Sequence, residues 1–180
     1  AKALELIGKY FGPLKKPTRK LDKTYTEEPP QDGERAVTLR RVGDVGIVGL
    51  MYHVPPGAHE EYPAADALTS ILSEPPAGVL YKALVETKKA ASVGGFSMPL
   101  HDPGYVWMTA TVRPDQDIDD VKKTMLATID KVIAEGVTEE QIERAKLRFR
   151  SQRKRDMIDP TQLAVELSEW ASQGDWRLFF

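Results

Sequence analysis

At 180 residues, with 41% apolar and 29% charged side chains, the chain is long enough to bury one core and short for two. Its 25 basic and 27 acidic residues leave a net charge of −2, so no global field draws it to nucleic acid or to a membrane surface. The lack of cysteine removes disulfides, thiolate metal sites and cysteine nucleophiles together, and no apolar stretch approaches the length of a membrane span.

Leu4, Leu6, Ile7, Tyr10 and Phe11 share one face of a short helix that Gly12-Pro13 should end. Residues 13–34 then turn to Pro, Lys, Thr, Asp and Glu, a composition that builds no core and reads as an extended linker. The expected division is therefore residues 1–12 as the last helix of a preceding domain, 13–34 as linker and 35–180 as the main domain. The absent initiator Met and the apolar ending Trp176-Arg177-Leu178-Phe179-Phe180 suggest a piece of a longer chain, with the domain cut short at its C-terminal end.

Period-two alternation predicts strands over Ala36–Val42 and Val45–Val54, joined as a hairpin at Gly43-Asp44. The second is apolar on both faces and should be central. Pro63 can open a helix carrying Ala64, Ala65, Leu68, Ile71 and Leu72, which Pro75-Pro76 stops. A further helix is predicted from Ala77 to about Thr87, then strands over Ala90–Met98 and Tyr105–Val112, forming a hairpin over Leu100–Gly104.

Ile118, Val121, Met125, Ile129, Val132 and Ile133 follow a helical stripe that Gly136 closes. Thr138 with Gln141 is a capping box opening a helix to about Met157. Asp159-Pro160 caps and starts another, through Leu163, Leu167 and Trp170. The order ββααββααα, with antiparallel hairpins and grouped helices, argues an α+β fold: an antiparallel-rich sheet with helices packed on one face.

No constellation along the chain qualifies as a catalytic, cofactor or metal site. His53 and His59 lie six apart across Pro55-Pro56-Gly57, whereas helix-borne zinc needs two histidines four apart with a carboxylate between, so the Glu60-Glu61 pair reads as solvated loop. His101-Asp102 could orient an imidazole, but turn chemistry before Pro103-Gly104 accounts for it, and Ser92 and Ser97 read as ordinary strand residues. Gly94-Gly95 continues into extended Phe96-Ser97-Met98 and so predicts a bulge or close backbone contact, not a phosphate cradle. The cations from Arg144 to Arg155 point several ways on one helix and follow Glu139, Glu140 and Glu143, which matches the helix dipole and leaves no nucleic-acid stripe.

Several stretches in order carry a resemblance: Leu6-Ile7-Gly8-Lys9-Tyr10-Phe11-Gly12-Pro13, Pro30 to Val37, Tyr52-His53-Val54-Pro55, Asp66-Ala67-Leu68, Leu80-Tyr81-Lys82-Ala83-Leu84-Val85-Glu86, and Gly136 to Lys146. They resemble the second, zinc-free domain of the insulinase/pitrilysin family of zinc metallopeptidases. In that family a zinc-binding domain and a second domain of related fold form each half of a clamshell that encloses and cleaves peptides. The resemblance implies zinc in the parent's preceding domain and none in this fragment. It implies as partners that domain, the other half of the parent and a peptide substrate, and leaves a homo-oligomer open. Where the family completes an active site from across the chamber, it places an arginine after the helix leucine and a tyrosine seven residues on; this chain has Val85 and Ser92. Neither reproduces the charged and phenolic donors that pair would aim at a developing oxyanion.

The leading expectation is thus a non-catalytic chamber wall and scaffold of a zinc metallopeptidase, with a structural assembly subunit of the same fold as the alternative and a metal-independent hydrolase using His101-Asp102 as the third. By analogy the setting is a bacterial periplasm or another extracytoplasmic space.

Overall fold

The structure is a computed structural model that describes residues 2–20 and 31–180. Part of the 13–34 stretch, residues 21–30, lies outside the described residues. The chain divides into two compact units, residues 1–40 and 41–180.

In the first unit α1 (Lys2–Phe11) forms as its apolar stripe predicts, and it ends where the Gly12 N–H donates to the Gly8 carbonyl at 3.1 Å. None of its residues is buried.

The second unit is built on a three-stranded antiparallel sheet of β1 (Gly46–Val54), β2 (Ser92–Met98) and β3 (Gly104–Val112), in the order β1-β3-β2. β2 and β3 make the expected hairpin. Side chains alternate across a strand, so Val106, Met108, Ala110 and Val112 of β3 share one face with Val48 and Val93, and all six are buried. Against them pack Leu72 of α2 (Tyr62–Ser73), Leu80 and Leu84 of α3 (Val79–Leu84), and Val121, Met125 and Ile129 of α4 (Ile118–Glu135). Thirteen residues form this cluster, and removing that much apolar surface from water is the main force holding sheet to helices. Outside it, α5 (Glu139–Ile158) packs on α2, and α6 (Pro160–Ser172) on α5.

The helix boundaries follow local chemistry. Asp117 accepts from the Asp119 N–H at 2.9 Å to start α4, and Gly136 leaves it at φ 77°, a backbone that side chains disfavour. Thr138 and Gln141 complete the reciprocal capping box of α5, and Asp159 accepts from the Thr161 and Gln162 N–H groups at the start of α6.

Three expectations are corrected. Residues 36–42 form no strand: Val37, Leu39 and Val42 stand exposed, and Gly43 lacks the positive φ that a two-residue hairpin turn demands. The order after α1 is therefore βααββααα. β1, expected at the centre, lies at an edge with β3 in the middle, because residues 36–42 supply no strand to pair with its other side. α3 spans Val79–Leu84 only, and Gly78 before it sits where a Cβ would lie within 2.9 Å of the Glu74 and Leu72 backbone. The chain end is a 3-10 turn (Trp176–Phe179) that buries Phe179 beneath the Arg153 guanidinium, 3.8 Å from the ring centre, while Phe180 remains exposed.

Candidate functional site

The helices cover one face of the sheet; the other is open. On it the strand register lines up rows of side chains: His53, Tyr105 and Met98; then Met51, Trp107 and Phe96; then Gly49, Thr109 and Gly94; then Ile47, Thr111 and Ser92. None of these twelve positions is Asp, Glu, Lys or Arg. The rings associate, Phe96 lying 6.2 Å from Tyr105 edge-on and 6.1 Å from Trp107, within the range where aromatic pairs attract. Phe96 is 46% exposed and Met51 55%. A monomer rarely leaves such a patch on a rigid sheet without a use for it.

Beneath β2, the covered face carries a hydrogen-bonded relay that the sequence did not reveal. The Tyr62 hydroxyl donates to Ser97 Oγ at 2.8 Å, and Ser97 donates to Asp66 Oδ1 at 2.5 Å. Burial pushes the Tyr62 phenol up to about 12, the Asp66 carboxylate adding to the rise and the Ser97 contact opposing it. All three groups are paired with one another, so the relay ties α2 to β2 and leaves no free nucleophile. Spacing alone gave no signal, because Ser97 lies 31 and 35 residues from its partners.

Each candidate read from the sequence has a definite place. His53 is exposed on β1; His59 follows in the turn before α2, where its Nδ1 accepts the Glu61 N–H at 3.2 Å and lies 4.0 Å from Glu61 Oε2. Among the described residues no three His, Asp or Glu side chains come together in a way that could hold a metal, so they do not fit zinc. His101 and Asp102 sit in the β2–β3 loop with Nδ1 and Oδ1 3.4 Å apart and both side chains more than two-thirds exposed. An imidazole in that setting has neither the burial nor the ordered partner that base catalysis uses.

Gly95 is a close contact rather than a bulge: a Cβ there would lie 2.8 Å from Ser73 Cβ, and β2 pairs in unbroken register. Val85 packs partly buried against the core, and Ser92 opens β2 on the uncovered face. Three of the seven cations in the basic run are paired with carboxylates. Arg144 pairs with Glu140 at 2.6 Å, Lys146 with Glu143 at 2.6 Å, and Arg148 with Glu74 at 2.9 Å while donating to Ser70 Oγ at 3.1 Å. The Lys146 hydrogen bond and charge hold the Glu143 carboxyl below its ordinary value. A cavity of about 230 Å³ lies between the α2–α3 turn and α5, with Arg144 and Arg148, each paired with a carboxylate, among its lining residues. Among the described residues no helix is long and apolar enough to cross a membrane.

The family described as "Peptidase M16 inactive domain" matches residues 1–149. The chain is 27% identical over 177 residues to the zinc protease PqqE of Helicobacter pylori, an alignment covering 97% of this chain and 40% of that protein. The crystal structure of an inactive peptidase domain from Bordetella parapertussis is similar at TM-score 0.71 and 36% identity, covering 80% of this chain and 79% of that one. A protease from Helicobacter pylori superimposes at TM-score 0.89 and 26% identity, over 98% of this chain and 43% of that chain. The chain thus spans about 40% of the length of the curated relative it matches.

Proposed function

Since this chain belongs to the peptidase M16 inactive-domain family, a non-catalytic part of the insulinase-like fold, we propose that it serves as the wall and scaffold of a peptide-cleaving chamber. Zinc and the hydrolytic water belong to a preceding domain of the parent protein, and this domain contributes shape. The observation that carries the reading is the open sheet face: uncharged, bearing aromatic side chains, and stiffened from behind by three helices. Ser92, at the position where the resemblance expects a tyrosine, opens on that same face. With donorless Val85 in place of the arginine and the short Ser92 hydroxyl in place of the tyrosine, the domain encloses substrate and leaves oxyanion stabilisation to the catalytic domain. We further propose that residues 1–12 belong to the preceding domain, 13–34 connect, and the rest forms the wall; a division of the chain after residue 40 supports a boundary ahead of the sheet, though not at residues 12 and 34 themselves.

The test is metal analysis and a peptide-cleavage assay on this chain alone, followed by the same assay on the parent with and without it. The chain alone should hold far less than one equivalent of zinc and turn over no peptide, while the parent loses cleavage when the chain is removed. Chelator-sensitive turnover by these 180 residues would overturn the reading. Replacing His101 by Ala in the parent should leave its activity within about two-fold, as expected of a residue that only makes a turn.

A further inference from the structure

Within the open face, the row Gly49, Thr109, Gly94 is a trough: two of its three positions have no side chain, and it runs between the row of Met51, Trp107 and Phe96 and that of Ile47, Thr111 and Ser92. Same-face rows two residues apart stand about 7 Å from each other, so the flanking ridges are about 14 Å apart. The two ends differ. At Gly49 the Trp107 indole leans in, its Nε1 only 3.3 Å from where a Cβ would lie, whereas at Gly94 only Thr109 Oγ1 comes within 4 Å, at 3.8 Å. The trough is therefore roofed by the indole at one end and open at the other, beside the exposed Phe96 ring. Neither the indole N–H nor the Thr109 hydroxyl makes a side-chain hydrogen bond to another described residue; two polar groups are thus available at the floor and rim of an otherwise apolar dip.

We infer that this trough is a docking groove for an extended peptide, with an aromatic or large aliphatic side chain seated over Gly94 against the exposed Phe96 ring, and the peptide backbone meeting Trp107 Nε1–H and Thr109 Oγ1. Size argues against a second copy of the chain as the occupant: the three-stranded face measures about 30 Å by about 14 Å, on the order of 400 Å², while a stable, specific protein pair buries about 800 Å² per partner. Charge narrows the side chain the groove accepts, because a surface without acidic or basic side chains gives a charged residue no partner for the water it sheds. The inference rests on the chamber-wall reading and adds to it the class of side chain the wall selects.

The experiment uses the chain with Trp170 and Trp176 replaced by Phe, which leaves Trp107 as the sole tryptophan. Three blocked peptides are titrated against its emission: acetyl-Gly-Ser-Gly-Phe-Gly-Ser-Gly-amide and the two versions with Asp or Lys in place of Phe. The Phe peptide should give a saturable change, and the charged ones at least a ten-fold weaker response. Gly94→Val fills the dip with a residue strands favour and should weaken the Phe peptide at least five-fold without lowering the melting temperature; Phe96→Ala, at an exposed ring, should weaken it as well. Equal responses to all three peptides, or affinity untouched by both substitutions in folded protein, would overturn the groove. A concentration-dependent dimer that Gly94→Val abolishes would overturn it in favour of self-association. If the groove fails while the parent still needs this chain for cleavage, only the groove is lost; if the parent does not need it, the wall reading falls too.

Discussion

Replacing Ser97 by Ala should cost far more than a strand serine ordinarily would, because Ser97 stands between two groups that cannot both find new partners. The substitution removes a neutral hydrogen bond from Tyr62 at 2.8 Å and a charge-assisted one to Asp66 at 2.5 Å. A typical neutral bond contributes about 1 kcal/mol net and a bond to a charged group about 1.5–3 kcal/mol, while an orphaned buried donor costs about 1–3 kcal/mol. Asp66 is only partly buried and can recover water, whereas Tyr62 is 4% exposed and cannot. The expected destabilisation is therefore about 2–3 kcal/mol, chiefly from the stranded phenol. Tyr62→Phe removes the same hydroxyl but leaves Ser97 bonded to Asp66, and should cost only about 1 kcal/mol. In the double mutant no phenol is left stranded, so its cost should fall short of the sum of the singles by about 1 kcal/mol, the signature of directly coupled residues. Urea denaturation followed by far-ultraviolet circular dichroism reads all three variants. Ser97→Ala should lower the midpoint by about 1 M, given slopes of about 2 kcal/mol/M for a domain of this size. A cost below about 0.5 kcal/mol, or strict additivity in the cycle, would refute the relay as a link between α2 and β2.

Gly95→Ala should destabilise by about 1–3 kcal/mol, since its Cβ would meet Ser73 at 2.8 Å. Gly94→Ala, one residue away with nothing nearer than 3.8 Å, should be neutral or gain up to about 1 kcal/mol by removing backbone freedom; equal effects at the two sites in thermal denaturation would contradict the assigned faces of β2. Thr138→Ala breaks the capping box of α5 and should cost about 1 kcal/mol, read as a drop in melting temperature that Thr138→Ser largely avoids. Because the Tyr62 pKa is raised to about 12 in the folded state, the stability it supports is complete below the ordinary phenol value of about 10 and is lost as pH climbs from there towards 12. Urea midpoints measured across that window should fall in the parent sequence and fall less in Tyr62→Phe; parallel curves would argue that the phenol is not shielded.

Much of the local structure was legible because its causes are local. The capping box at Thr138 and Gln141, the Asp159-Pro160 start of α6 and the Gly136 stop each depend on residues within one turn, so their chemistry could be read in order along the chain. The alternation of β3 also declared itself, since both of its neighbours in the sheet repeat the same period. The candidate site was partly legible: the poor zinc spacing of His53 and His59 follows from counting, and so does the aromatic content of β2 and β3.

What sequence could not decide was pairing. Residues 36–42 alternate as well as any strand, yet alternation specifies only that a backbone can be extended; a strand exists when another supplies its hydrogen bonds and a layer covers its apolar side. β1 offers apolar side chains on both faces, and only the packing of α2, α3 and α4 selects which becomes core and which becomes the open surface. The rows across the sheet, the trough between Gly49 and Gly94, and the Tyr62–Ser97–Asp66 relay all join residues far apart in the chain. Local composition sets what each segment is able to be; the long-range contacts, formed against the entropy of closing the intervening loops, determine which of those options is realised.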